Sequence, residues 1–231
     1  MNIVILGGSR GIGKAAAAEL AKDGHRLLLV GRDADALYKA RQELGGETKI
    51  FQGDITSEAE AGLLTEYIGQ SFPPDGVVFN AAAFPDPRTA RSVLKPSVRE
   101  LQEILHANLT AHYRLAQLLL PLLRERGGGR MVFVGSTAGI RQDKGGIYGI
   151  SKWALNGYVH LLRNEAKAYG VSVSLVNPGG VYTERRKKES DGGRRLLETS
   201  DLGIVIGAIF RLSRQAVVEE LNIRPIDGDT Y

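Results

Sequence analysis

Short runs of β-branched and leucine residues alternate with longer amphipathic stretches along this chain, and the alternation restricts the fold more than any other feature. Asn2–Leu6, Arg26–Val30, Thr48–Phe51, Gly76–Asn80, Arg130–Gly135, Val171–Val176 and Glu220–Arg224 have the length and composition of strands. Gly11–Lys22, Asp33–Leu44, Glu58–Ile68, Val98–Arg124, Ile147–Tyr169 and Asp201–Ser213 carry helical spacing between them. The Asp33–Leu44 segment opens with acidic residues, which the positive end of a helix dipole favours. Strands separated by helices are joined by right-handed crossovers, so the strands run parallel and helices cover both faces. The expectation is α/β: one doubly wound domain over residues 1–231, with a mainly parallel seven-stranded sheet and helices on both faces.

Composition excludes several classes of function. The longest apolar runs, Leu115–Leu123 and Leu202–Phe210, fall well short of the roughly 18 residues that a membrane span requires, so no membrane partner is expected. Thirty basic against twenty-six acidic residues leave a net charge of +4, and without a basic stripe no nucleic-acid partner is expected. With no cysteine there is neither disulfide nor thiolate chemistry. The four histidines, His25, His106, His112 and His160, are scattered, so no metal site is expected. Met1 is followed at once by an apolar strand, without a basic leader or cleavage site, which makes a cytoplasmic location the expectation.

Leu6-Gly7-Gly8-Ser9-Arg10-Gly11-Ile12-Gly13-Lys14-Ala15 joins the first strand to the first helix. Glycines there permit a tight turn and close approach of a pyrophosphate, and the helix N-terminus supplies N–H donors and a favourable dipole. Two readings fit. Gly8 through Gly13-Lys14 is one residue from a nucleoside-triphosphate loop, failing at Ala15, where a hydroxyl should hold Mg²⁺. Gly7, Gly11 and Gly13 also form a dinucleotide loop, which calls for a ribose-reading residue at the end of the second strand. Gly31-Arg32 stands there in place of a carboxylate, and a guanidinium suits a 2′-phosphate. Arg10, within the loop, is placed to join it. An arginine at a helix N-terminus is mildly unfavourable unless an anion binds. NADP(H) is therefore the expected cofactor, in a Rossmann-type fold.

Tyr148 and Lys152 lie four apart in Y-G-I-S-K, on one face if the stretch is helical. A phenol titrates at about 10, and a neighbouring ammonium pulls that value toward working pH, where general acid–base catalysis is most efficient. Asn108 falls mid-helix, where its polarity is costly unless it serves something. With the glycine loop, Arg32, Asn80-Ala81-Ala82, Asn108, Ser136, Tyr148-x-x-x-Lys152 and Pro178-Gly179 in this order, nearly the whole chain resembles the short-chain dehydrogenase/reductase family. The resemblance implies that Tyr148 is the general acid or base, and that Lys152 lowers its pKa and binds the nicotinamide ribose. It implies that Ser136 hydrogen-bonds the substrate oxygen, and that Asn108 holds a water linking Lys152 to solvent. It also implies cofactor contacts from Gly7, Ser9, Arg10, Gly11, Ile12, Arg32, Asp54, Ile55, Asn80, Ala81, Tyr148 and Lys152. Pro178, Gly179, Val181 and Thr183 are implied on the nicotinamide side. Three positions depart from the family pattern: Leu6 replaces a threonine before the loop, Phe79 an asparagine and Ala82 a glycine.

The function expected from this resemblance is NADPH-dependent reduction of a small-molecule carbonyl, or oxidation of a secondary alcohol. A catalytically idle NADPH-binding regulator and a nucleotide phosphotransferase stay open as alternatives. Phe84–Pro96 and Glu184–Arg195 interrupt the alternation after strands and are expected to wall a substrate cleft. The second, with Arg185, Arg186, Lys187 and Lys188, is either a solvated lid or a docking site for a carrier-linked substrate. Leu118, Leu119, Leu120, Leu122 and Leu123 exceed one sheet-facing stripe, and the resemblance implies that such helices pair between subunits, so a homodimer or homotetramer is expected.

Overall fold

The computed structural model describes residues 1–141, 145–184 and 195–228. Seven strands form one sheet: β1 (Asn2–Leu6), β2 (Arg26–Gly31), β3 (Thr48–Gln52), β4 (Gly76–Phe79), β5 (Gly129–Val134), β6 (Val171–Pro178) and β7 (Glu220–Ile223). Their spatial order is β3-β2-β1-β4-β5-β6-β7, and every neighbouring pair runs parallel. The helices are α1 (Gly11–Lys22), α2 (Ala34–Leu44), α3 (Glu58–Ser71), α4 (Val98–Leu105), α5 (Ala111–Glu125), α6 (Gly146–Ala166) and α7 (Thr199–Arg211).

The alternation of side chains along each strand divides the core into two layers. Val4, Leu6, Leu28, Val30, Val77, Phe79, Met131 and Phe133 face one way, onto Leu64, Leu115, Leu119, Leu155 and Val159 of α3, α5 and α6. Ile3, Ile5, Leu27, Leu29, Val78 and Val132 face the other, onto Ala16, Leu20, Leu37, Leu202 and Ile206 of α1, α2 and α7. Burial on both faces is why these strands read as unbroken apolar runs. Each such side chain contributes about 1.5–3 kcal/mol relative to exposure. The chain winds outward through β2 and β3, then returns to set β4 beside β1. That reversal opens a crevice at the C-terminal ends of β1 and β4, where open α/β sheets take their ligands.

The stretch Val98–Arg124, expected as one helix, is broken. Helix α4 ends at Leu105, a π-helical turn spans His106–Thr110, and α5 follows. Such a turn inserts a residue into the α-helical ladder and recurs at functional sites; here it carries Asn108 inward. The leucines of α5 are more fully occupied by this chain than their number suggests. Leu119 and Leu123 are in the core, Leu120 and Leu122 pack against it, and only Leu118 of the five is exposed.

Candidate active site

The crevice is an open cleft of about 1160 Å³. The glycine loop forms one end. Gly7 has φ +80°, and a Cβ there would come within 2.9 Å of the Ala81 backbone. A Cβ on Gly13 would lie 2.1 Å from the Gly7 carbonyl, so helix α1 can start this close to its own loop only with glycine at that position. Asn80 donates from Nδ2 to the Gly7 carbonyl (2.9 Å), tying the end of β4 to the loop. Leu6, which departs from the family pattern, fixes the same junction through its carbonyl, which accepts from the N–H groups of Asn80 (3.1 Å) and Ala81 (2.9 Å). Helix α1 has no side-chain cap and no acid in its first turn, so its N–H donors face an anion site rather than a carboxylate of their own.

Helix α6 supplies the other end. Tyr148 and Lys152 share one face, with Lys152 Nζ 5.7 Å from the Tyr148 ring centroid. Lys152 is only 1% exposed and donates to the Val134 carbonyl at the end of β5 (2.9 Å). Burial pulls its ammonium down to about 8, so it stays charged at neutral pH and favours the phenolate of its neighbour. His112, fully buried against the stacked rings of Phe79 and Phe133, is pushed to about 3 by burial and secondarily by the Lys152 charge, and is neutral at working pH.

Three polar side chains hold this end together. Ser136, just beyond β5, lines the cleft and accepts from the Ala138 N–H (3.1 Å), so it caps the short turn Thr137–Gly139 as well as facing the site. Asn177 accepts from the Ser136 N–H (3.1 Å) and donates to Asn222 (3.1 Å) and Glu220 (3.3 Å), joining β5, β6 and β7. Asn108 is wholly buried. It accepts from the Ala83 N–H (2.7 Å) and donates to the Ala83 carbonyl (2.9 Å) and the Ser151 hydroxyl (3.0 Å). Ser151 in turn donates to the Tyr148 carbonyl (2.7 Å). Both Nδ2 hydrogens of Asn108 are thereby used within the protein, and the side chain braces the β4 exit against α6 instead of facing the cleft.

Gly7, Ser9, Arg10, Gly11, Ile12, Arg32, Asp54, Ile55, Asn80, Ala81, Ser136, Tyr148, Lys152, Pro178, Gly179, Val181 and Thr183 all line the one cleft. Asn108 is the exception. The two arginines have carboxylate partners: Arg10 pairs with Asp33, and Arg32 with Asp54 at 3.5 Å. Asp33 also caps α2, and the Ala36 N–H, with Arg10 adding to it, holds its carboxyl below the usual range. For Asp54, burial opposes ionisation but is outweighed by the N–H and hydroxyl of Thr56, so its pKa is lowered. Both ion pairs are largely solvent-exposed and worth little, roughly 0–1 kcal/mol, so a phosphate can displace either carboxylate at small cost. Lys14 and Ala15, the residues a triphosphate loop would use, turn away. Lys14 pairs with Glu43 of α2, and the Ala15 backbone packs against Gly203 of α7.

Phe84, Pro85, Pro87, Ala90 and Arg91 line the cleft from the expected β4–α4 insertion. Phe84 stacks on Tyr148, with centroids 4.9 Å apart and planes 14° from parallel. From the second insertion Glu184 lines the cleft, next to Thr183, while residues 185–194, with their basic side chains, lie outside the described residues. Phe84 and Arg91 fall within the expected wall Phe84–Pro96 without having been singled out there, whereas Asp33, Asn177 and Ser151 were not among the expected site residues. The signal for Asp33 was its place directly after Arg32; for the others, neighbourhood appears only on folding. Among the described residues, no group of three His, Asp or Glu is arranged to hold a metal, and no helix is long and apolar enough to cross a membrane.

A parallel sheet in this order, with a glycine loop and a Tyr–Lys pair opening on one cleft, is the Rossmann-type arrangement that the sequence pattern implies. Residues 1–193 match the short chain dehydrogenase family, and the chain belongs to it. Among curated relatives, carbonyl reductase family member 4 of Danio rerio is 31% identical over 183 residues, covering 78% of this chain and 76% of that one. An uncharacterized oxidoreductase of Staphylococcus epidermidis is 25% identical over 224 residues, covering 96% of both. Among solved structures, an alcohol dehydrogenase from the archaeon Thermococcus sibiricus complexed with 5-hydroxy-NADP aligns with a TM-score of 0.86 at 26% identity. It covers 99% of this chain and 98% of that one. A serine dehydrogenase complexed with NADP+ shares the fold, with a TM-score of 0.89 at 24% identity over 100% of this chain and 97% of that one.

Proposed function

We propose that this protein is an NADPH-dependent reductase of a small carbonyl compound, with Tyr148 as the proton donor. The observation that carries the reading is that Tyr148 and the buried Lys152 open onto the same cleft as the glycine loop and two arginines. The residues fit the cofactor: loop and helix N–H donors suit a pyrophosphate, and Arg10 and Arg32 suit a 2′-phosphate. The complexes of the relatives with NADP-type nucleotides support the same choice. A reduced nicotinamide would supply the hydride to the carbonyl carbon.

The chain's own residues manage the proton. The Tyr148 hydroxyl donates to the carbonyl oxygen as negative charge develops there, and Lys152 lowers the cost of the resulting phenolate. Accepting from the Ala138 N–H leaves the Ser136 hydroxyl its hydrogen to donate to the substrate oxygen. Asn108 and Ser151 position Tyr148 by tying its helix to the β4 exit. Exposed Tyr113 and Leu118 on α5, with Ile150 and Trp153 on α6, support a homo-oligomer built on these helices. A panel of ketones and aldehydes, followed by NADPH oxidation, tests the reading: at least one should be reduced, and Tyr148→Phe should lose that turnover while still binding NADPH. Unchanged turnover in Tyr148→Phe would remove it.

A further inference from the structure

The segment from Phe84 to Ser92 is a fixed wall over Tyr148. Phe84 stacks on the tyrosine ring. The Asp86 N–H donates to Glu100 at the start of α4 (3.0 Å), and Thr89 donates to the Asp86 carbonyl (3.2 Å). A Cβ on Gly146 would meet the carbonyls of Ala90 (2.2 Å) and Ser92 (3.1 Å), so this backbone lies against the first turn of the Tyr148 helix. Arg91, between those two carbonyls, therefore belongs to the Tyr148 end of the cleft, away from Arg10 and Arg32.

The cations lining the cleft are otherwise occupied. Arg10 and Arg32 have carboxylate partners, and Lys152 donates to a carbonyl. Arg88, on the same wall, is held by Asp86 through a two-pronged contact. Arg91 lines the cleft and, among the described residues, has no hydrogen-bond or ion-pair partner. Arg91 shares the cleft lining with Phe84, Pro85 and Pro87, and a planar two-pronged donor in a lining that also holds apolar surface matches a carboxylate on an aromatic or aliphatic body.

We propose that the substrate is an oxo acid, with Arg91 as the counter-ion of its carboxylate and Phe84 and Pro87 flanking its apolar part. This rests on the reading of Tyr148 as proton donor at that end. The test compares benzoylformate and 3-benzoylpropionate with their methyl esters, as substrates for NADPH oxidation and as ligands of the NADPH-loaded protein in thermal shift. Wild type should favour at least one acid over its ester by about tenfold or more in kcat/KM, mainly through KM. Arg91→Gln should collapse that acid-to-ester ratio, and Arg91→Lys should restore part of it. An acid that stabilises wild type but not Arg91→Gln supports the proposal even without turnover. Equal losses on acids and esters in Arg91→Gln overturn it, as does wild type that neither prefers nor is stabilised by any acid. Esters reduced with no acid preference would sink only the role of Arg91, whereas turnover surviving in Tyr148→Phe would sink the reductase reading itself.

Discussion

Replacing Lys152 by methionine tests the electrostatics of the site through stability alone. In the folded protein burial lowers the ammonium from 10.5 to about 8. Between those values the unfolded chain holds more protons than the folded one, so wild-type stability rises with pH across that window. Below about 8 both states are charged, and the whole cost of burying the charge is present. A gap of about 2.5 units at about 1.36 kcal/mol each is on the order of 3 kcal/mol. Methionine fills similar space and does not titrate. The unfolding free energy of wild type minus that of Lys152→Met should therefore climb by on the order of 3 kcal/mol between about pH 7 and about pH 10.5. Urea unfolding of both proteins, followed by circular dichroism across that range, reads the difference directly. A difference flat with pH would refute the claim that burial lowers the lysine's ammonium.

Arg32→Glu should weaken NADPH relative to NADH by about tenfold to a hundredfold, the worth of a charge-assisted hydrogen bond, in nucleotide fluorescence titrations. An unchanged ratio would remove Arg32 from 2′-phosphate recognition. Asn108→Ala strands both Ala83 backbone groups, at about 1–3 kcal/mol for each one left unpaired, so the urea midpoint should fall clearly. Sedimentation at micromolar concentration should find a dimer or tetramer; a monomer would count against the oligomer built on α5 and α6.

The order of strands and helices was legible because both sheet faces are covered, which leaves each strand a short unbroken apolar run. The glycine loop and the Tyr148–Lys152 pair were legible because each works through spacing within one local element. The break at His106–Thr110 was not, since a π turn adds one residue to a helix without disturbing the apolar pattern around it. Asn108 could be recognised as a costly polar residue, yet its partners, Ala83 and Ser151, come from distant elements. Asp33 read as part of an acidic first helical turn and is the N-cap of α2, but its pairing with Arg10 across the loop requires the fold. Phe84 and Arg91 lie in a proline-rich stretch with no periodicity, so only the packing of that stretch against Gly146 and Tyr148 locates them.

The central claim is that Tyr148 delivers a proton to the oxygen of a carbonyl receiving hydride. Single-turnover oxidation of NADPH by a carbonyl substrate, compared between wild type and Tyr148→Phe, tests it most directly, because phenylalanine keeps a ring to stack on Phe84 and removes only the hydroxyl. The account predicts a rate lower by about 100-fold or more in the variant, with NADPH still bound as read by its fluorescence. Equal rates in the two proteins would contradict it.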